Sequence, residues 1–72
     1  MYIETVYTRR EALSYADLER LHAALVDETE RYRFAIRNYP ADRMEKYGTP
    51  FLAKLEARVS EVEQLLKQRL SS

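Results

Sequence analysis

Two stretches of the chain repeat apolar residues at alternating steps of three and four, and this spacing is the strongest constraint on the fold. The first stretch contains Leu18, Leu21, Leu25, Tyr32, Ile36 and Tyr39, and the second contains Leu52, Leu55, Val59, Val62 and Leu66. Such spacing places the apolar side chains on one face of an α-helix. The sequence therefore predicts an all-α fold in which two amphipathic helices pack as an antiparallel helical hairpin.

The first helix has clear boundary signals. Ser14 suits the N-cap position, and Asp17 follows it three residues later, as in many capped helices. The helix is therefore expected to begin at Ser14 or Tyr15. Pro40 disfavours helical backbone at the residue before it, so the helix is expected to end near Asn38.

The second helix is predicted to begin at Pro50, which suits the first helical turn, with Thr49 as its N-cap. It should run to about Leu70. Gly48 is expected to end the structure that precedes this helix, because glycine interrupts helices. Residues 40–47 are too many for a tight turn and include good helix formers, which indicates a short connector helix closed by Gly48.

Residues 1–13 are predicted to form an N-terminal arm, and residues 14–72 the helical hairpin domain. Residues 2–7 are β-branched or aromatic except for Glu4, which favours an extended segment. Such a segment would pair with a second copy across a dimer axis or lie along the helices. A helix-start signal at Thr8 also allows a helical turn over residues 9–13.

The chain is short for the amount of apolar surface it carries. It has 72 residues, of which 46% are hydrophobic and 33% charged, with one glycine and no cysteine, a composition typical of a helix-rich folded domain. A core of this size rarely supplies more than about 3 to 5 kcal/mol without a disulfide, a metal or oligomerisation. Because no disulfide can form, we expect a homodimer in which two hairpins make a four-helix bundle.

A second apolar strip lies on the other side of the first helix. Either the N-terminal arm covers this strip, or the strip is a protein interface with Phe34 as its anchor. The candidate interface residues combine this strip with seam positions open to a second copy: Ala16, Ala23, Leu25, Val26, Tyr32, Phe34, Val59 and Leu66.

Two polar residues, Glu28 and Thr29, interrupt the first stripe between Leu25 and Tyr32. A polar residue in a helical seam sometimes sets the register and the oligomeric state. The alternative, which we favour, is that Glu28 lies at the wet edge of the seam while Thr29 packs through its methyl group.

Residues 31–39 contain three arginines and three aromatic side chains without an acid. Guanidinium groups bind phosphates and carboxylates, and aromatic rings stack on bases. The candidate anion-binding residues at this turn end are Arg33, Arg37, Tyr39, Arg43 and Lys46. The alternative, which we favour, is that the tyrosines belong to the core and the arginines form an ordinary charged helix surface.

The sequence contains little that supports catalysis, since it has one histidine, no cysteine and no glycine-rich loop. Glu19 and His22 match the Glu-x-x-His element of di-iron bundles, but Glu19 projects away from the apolar seam, so neither a metal site nor a cofactor is expected. The chain has no apolar run long enough to span a membrane and no signal-peptide pattern at its start. We therefore predict a cytoplasmic protein that is not an enzyme.

These features together predict a small non-catalytic, inhibitor-like protein-binding regulator or adaptor that binds itself and another protein. The hairpin is similar in outline to small helical regulators and inhibitors, a likeness of architecture that carries no functional residue over. Zero net charge removes the simplest electrostatic argument for nucleic-acid binding. A nucleotide-like anion or a nucleic acid bound at the turn end is the alternative prediction.

Overall fold

The computed structural model describes residues 3–71, which are mostly helical and contain no strand. The elements in chain order are α1 (Ile3–Thr8), a 3-10 turn (Arg10–Ala12), α2 (Tyr15–Ala35), α3 (Ala41–Arg43), a π-helical segment (Met44–Gly48) and α4 (Thr49–Ser71). The long helices α2 and α4 pack side by side. The predictions of an all-α fold and of a helical hairpin are confirmed.

Helix α2 begins as predicted and ends earlier than predicted. The Ser14 hydroxyl oxygen accepts a hydrogen bond from the Asp17 amide at 3.2 Å, which makes Ser14 the N-cap. Ile36 leaves the helical conformation, with φ −95° and ψ 2°. The Tyr39 amide then donates to the Ile36 carbonyl at 3.0 Å. The chain therefore turns before it reaches Pro40, and the helix ends at Ala35.

The predicted break between the connector and the second helix is wrong. Arg43, Met44 and Thr49 all have right-handed helical backbone angles, so the segment from α3 to α4 is one continuous helix. Thr49, with φ −64° and ψ −46°, is not an N-cap. Pro50 has no amide hydrogen, and its ring conflicts with the carbonyl four residues earlier in a regular helix. The wider π-helical turn directly before Thr49 relieves that conflict.

Gly48 permits close packing and does not end a helix. It is buried, and a Cβ atom there would lie 2.5 Å from Met44 Sδ and 3.3 Å from Ile36 Cδ1. A larger residue would displace Met44 and press on Ile36. Glycine therefore allows the π-helical segment to lie close against the end of α2 without displacing these side chains.

The core lies along the α2 and α4 contact. Its buried hydrophobic residues, within the part of the chain that the structure describes, are Leu18, Leu21, Leu25, Ile36, Leu55 and Val62. Thr29 is buried as well, and its hydroxyl donates to the Leu25 carbonyl at 2.7 Å. The hydroxyl of Thr29, one of the two polar residues that interrupt the stripe, is thus hydrogen-bonded within its own helix.

The predicted extended arm is wrong, because Ile3–Thr8 form the helix α1. Ile3, Val6 and Tyr7 pack against the core cluster of α2 and α4. These three residues have helical spacing, and burial on one face outweighs the strand preference of their β-branched neighbours. Tyr2, which belonged to the predicted extended segment, lies outside the described residues.

Candidate interaction site

Two packed helices have a groove on each side, and α1 fills one of the grooves between α2 and α4. The Tyr7 hydroxyl donates a hydrogen bond to Glu61 of α4. The guanidinium carbons of Arg10 and Arg58 lie 4.3 and 4.7 Å from the centre of the Tyr7 ring. Arg10 also pairs with Glu61 at 3.2 Å. We call this side the closed groove.

A second contact fixes the start of α1 to α4. Arg58 donates two hydrogen bonds to the Glu4 carboxylate, at 2.5 and 2.9 Å. Only 13% of the Arg58 side chain is exposed. The hydrogen bond from Arg58 lowers the pKa of Glu4, and the same bond raises the pKa of Arg58. Burial, and then the bond to Glu61, raise the pKa of Tyr7. Helix α1 is therefore held by its own chain.

The opposite side is uncovered, and we call it the open groove. Its lining residues are Val26, Thr29, Glu30, Arg33, Glu56 and Val59. Val26 is 37% exposed, Val59 is half-buried, and no segment within residues 3–71 lies over them. The groove has an apolar centre that water reaches.

Arg33 joins the two walls of the open groove. It donates to Glu30 on its own helix at 2.6 Å and to Glu56 on α4 at 3.2 Å. The bond to Glu30, followed by the charge of that carboxylate, raises the pKa of Arg33. This guanidinium therefore forms its ion pairs with carboxylates of its own chain.

Beyond Val26, towards the other end of the hairpin, His22 approaches Glu63. Its Nε2 atom lies 3.4 Å from Glu63 Oε2 and makes no hydrogen bond. Across residues 3–71, no three His, Cys, Asp or Glu side chains are grouped as metal ligands. The His22 and Glu63 pair makes this end of the open groove polar.

The structure separates the predicted interface residues into different environments. Leu25 is buried in the core of the single chain, and Leu66 is half-buried beside it. Val26 and Val59 line the open groove. Tyr32 lies on the other side, with its ring centre 4.8 Å from that of Phe51.

Three predicted interface residues lie on the outer face of α2, and α1 does not cover them. Ala16 and Ala23 are exposed, and Phe34 is 65% exposed. The side chain of Phe34 is partly shielded by Arg37, whose guanidinium carbon lies 3.6 Å from the ring centre. The strip thus remains accessible, as an interface would require.

The predicted anion-binding residues do not converge on one point. Arg33 is paired with carboxylates, and Arg37 lies over Phe34 while donating to the Phe34 carbonyl at 2.7 Å. Arg43 lies over the ring of Tyr39, 4.8 Å from its centre. Lys46 alone among the five lines the cavity at the turn end of the hairpin.

That cavity is a cleft of about 440 Å³ at the turn end, and we call it the lysine–aromatic cleft. Its lining residues are Tyr32, Lys46, Tyr47, Pro50, Phe51 and Lys54. The Tyr32 hydroxyl donates to the Tyr47 carbonyl at 3.4 Å. Sequence reasoning expected Tyr47 at the basic, aromatic turn end and Phe51 beside the apolar seam, but it did not bring them together with Lys54 in one cleft. Their spacing along one helix face was the available signal, and the assumed break at Gly48 concealed it.

No protein-family model, curated protein or solved structure matches the chain. None of the helices within residues 3–71 has the length and apolar character needed to cross a membrane. The geometry of the open groove and of the lysine–aromatic cleft is thus the basis for any functional proposal.

Proposed function

We propose that the chain is a small non-catalytic protein-binding regulator or adaptor that acts as a homodimer. Two hairpins meet at their open grooves and form a four-helix bundle. One observation carries this proposal: α1 fills the closed groove, whereas the apolar centre of the open groove at Val26 and Val59 is left to solvent. A second copy supplies the missing cover.

The exposed area supports an additional partner. The chain has a solvent-accessible surface of 5344 Å². A compact monomer of 8.6 kDa is expected to have about 4,700 Å². Specific dimers bury roughly 800 Å² on each partner. A dimer of this kind would enlarge a core that has only six buried hydrophobic side chains among the described residues.

Polar groups lie at both ends of the apolar centre of the open groove, which suits pairing with a second copy. Arg33 and Glu56 lie at one end of the apolar centre, and His22 and Glu63 lie at the other. A two-fold axis through the centre brings the Arg33 end of one copy to the Glu63 end of the other. Polar groups then surround an apolar centre, as is common in protein interfaces.

The outer face of α2 remains free in this dimer. Ala16 and Ala23 are small and allow close approach of another helix, and Phe34 is a large exposed ring. We therefore assign the regulator or adaptor contact with another protein to this face.

Light scattering after gel filtration tests the dimer. The unmodified chain is expected to have twice the monomer mass of 8.6 kDa at micromolar concentration. Val26→Asp, which places a charge at the centre of the open groove, is expected to give a helical monomer. Ala23→Asp is the matched control, because it makes the same change three residues away on the outer face, and it is expected to remain a dimer.

Two results would contradict this arrangement. A fully helical monomer for the unmodified chain at about 100 μM would remove the dimer. Dissociation by Ala23→Asp, with Val26→Asp remaining dimeric, would move the interface to the outer face of α2. Circular dichroism of each variant shows whether loss of the dimer is loss of folding.

A further inference from the structure

We propose that the lysine–aromatic cleft binds a planar ring that carries a phosphate, which is the chemistry of a nucleotide, free or within a single strand. The ring would stack on Phe51 and Tyr47, and phosphate would lie beside Lys46 or Lys54. The cleft shares three residues with a cavity on the α1 side of the hairpin, namely Tyr32, Phe51 and Lys54. That cavity also contains Glu4, Glu28 and Arg58. The inference therefore does not rest on the dimer at the open groove.

The aromatic walls of the cleft are positioned by packing. The Tyr32 ring is half-buried, tilted by 56° against Phe51, and its hydroxyl is bonded to the Tyr47 carbonyl. Phe51 is 46% exposed and Tyr47 is 63% exposed. Two large exposed rings one helical turn apart, backed by a fixed third ring, form a surface on which a base stacks.

The charge of the cleft is positive. Its six lining residues include two lysines and no acid, and neither ammonium group forms an ion pair within the described part of the chain. The charge of Lys54 makes a small contribution to lowering the pKa of Glu4, after the larger effect of Arg58. The Glu4 carboxylate is hydrogen-bonded to Arg58 and not to Lys54. The two lysines are eight residues apart, a distance of about 12 Å along a helix. The two lysines lie on either side of the exposed Tyr47 and Phe51 rings along the helix. This spacing leaves room for one base on the rings, with a phosphate beside either lysine.

The π-helical segment contributes to this arrangement. It carries Lys46 and Tyr47, and it continues into α4, which carries Phe51 and Lys54. Single π-turns within helices often occur at functional sites. The cleft volume of about 440 Å³ lies within the range of roughly 300 to 1,000 Å³ that is usual for small-molecule sites.

The choice of lysines over the predicted arginines follows from their contacts. Arg33 is neutralised by Glu30 and Glu56, and the guanidinium of Arg37 lies over the ring of Phe34. Lys46 and Lys54 form no ion pair with a residue in the range 3–71, and they line the same cavity. A lysine ammonium binds phosphate as a point charge and does not require the bidentate geometry of arginine.

Titration of the ¹⁵N-labelled chain, followed by amide chemical shifts, tests the proposal. The probes are adenosine monophosphate, a pentathymidylate and, as the competing chemistry, an acidic pentapeptide. Shifts are expected for residues 46–54 and for Tyr32. Shifts with the mononucleotide identify a free nucleotide as sufficient, and shifts with the oligonucleotide alone identify a strand. Shifts only with the peptide, or shifts in the cleft with none of the probes, would overturn the proposal.

Matched variants locate the site. Lys46→Ala combined with Lys54→Ala is expected to weaken binding about tenfold or more. Phe51→Leu, which keeps the apolar volume, is expected to weaken it about fivefold or more through loss of stacking. Lys67→Ala removes an equivalent charge from the exposed far part of α4 and is expected to change binding less than about twofold. If Lys67→Ala weakened binding as much as the loss of either cleft lysine, the binding would depend only on the overall charge of the chain. That result would overturn the assignment of the cleft.

Discussion

The closed and open grooves lie between the same two helices, yet residues 3–71 fill only the closed groove. In the closed groove, Tyr7 is half-buried between guanidinium groups, and Glu4 is held by Arg58. In the open groove, Arg33 crosses between the walls, but no segment within residues 3–71 covers Val26 and Val59. The difference shows that the N-terminal helix packs on one side of the hairpin and leaves the apolar residues of the other side partly exposed.

The largest effect that separates the grooves is expected from their apolar side chains. Leu21→Ala removes a fully buried side chain and is expected to lower the free energy of unfolding by about 2 to 5 kcal/mol. Val26→Ala is expected to cost less than about 1 kcal/mol at concentrations where the chain is monomeric, because Val26 is partly exposed there. Urea unfolding followed by circular dichroism measures both. Equal costs would mean that the grooves do not differ in burial.

A smaller effect is expected from detaching α1. Val6→Asp places a charge on the face of α1 that packs on the core, and it is expected to cost about 1 to 3 kcal/mol. Thr5→Asp makes the same charge on the exposed neighbour and should change stability by less than about 0.5 kcal/mol. Amide exchange should rise across α1 in the first variant only. Protected α1 amides in Val6→Asp would contradict the docking of this helix.

The smallest effect is expected from pH. The pKa of Glu4 is lowered in the folded chain, so its bond to Arg58 adds stability above the ordinary value of 4.5 and loses it as pH falls through the lowered value. The pKa of Tyr7 is raised above 10.0, so its contribution is complete below that pH and is lost as pH rises further. Docking of α1 should therefore weaken at both extremes.

Amide exchange of α1 across a pH series, corrected for the intrinsic exchange rate, measures this dependence. Glu4→Gln is the control, because its side chain does not titrate. The acid limb is expected to disappear in that variant. An unchanged acid limb in Glu4→Gln would show that another carboxylate controls the docking.

Much of the fold follows from local signals in the sequence. The stripe of Leu18, Leu21 and Leu25 predicted the α2 face that is buried, and Ser14 predicted its N-cap, because helical periodicity and capping are local. The continuous helix through Gly48 and Pro50 was not predictable in this way. The residues that usually end helices were accommodated here by a π-helical turn and by close packing on Ile36.

The candidate site was predicted only in part. Val26 and Val59 were selected from helical wheels and do line the open groove. Leu25 was selected by the same argument, yet it is buried, because a wheel does not show how closely two helices pack. The arginines were grouped by closeness in sequence. The contacts of Arg33 with Glu56 and of Arg37 with Phe34 depend on the tertiary fold and on side-chain conformation.

The central proposal is that a second copy covers the open groove, and isotope-filtered nuclear Overhauser spectroscopy tests it most directly. A mixture of ¹³C-labelled and unlabelled chains reports only contacts between different copies. We predict intermolecular contacts from the methyl groups of Val26 and Val59. Their absence at submillimolar concentration, or contacts confined to Phe34 on the outer face, would contradict the dimer at the open groove.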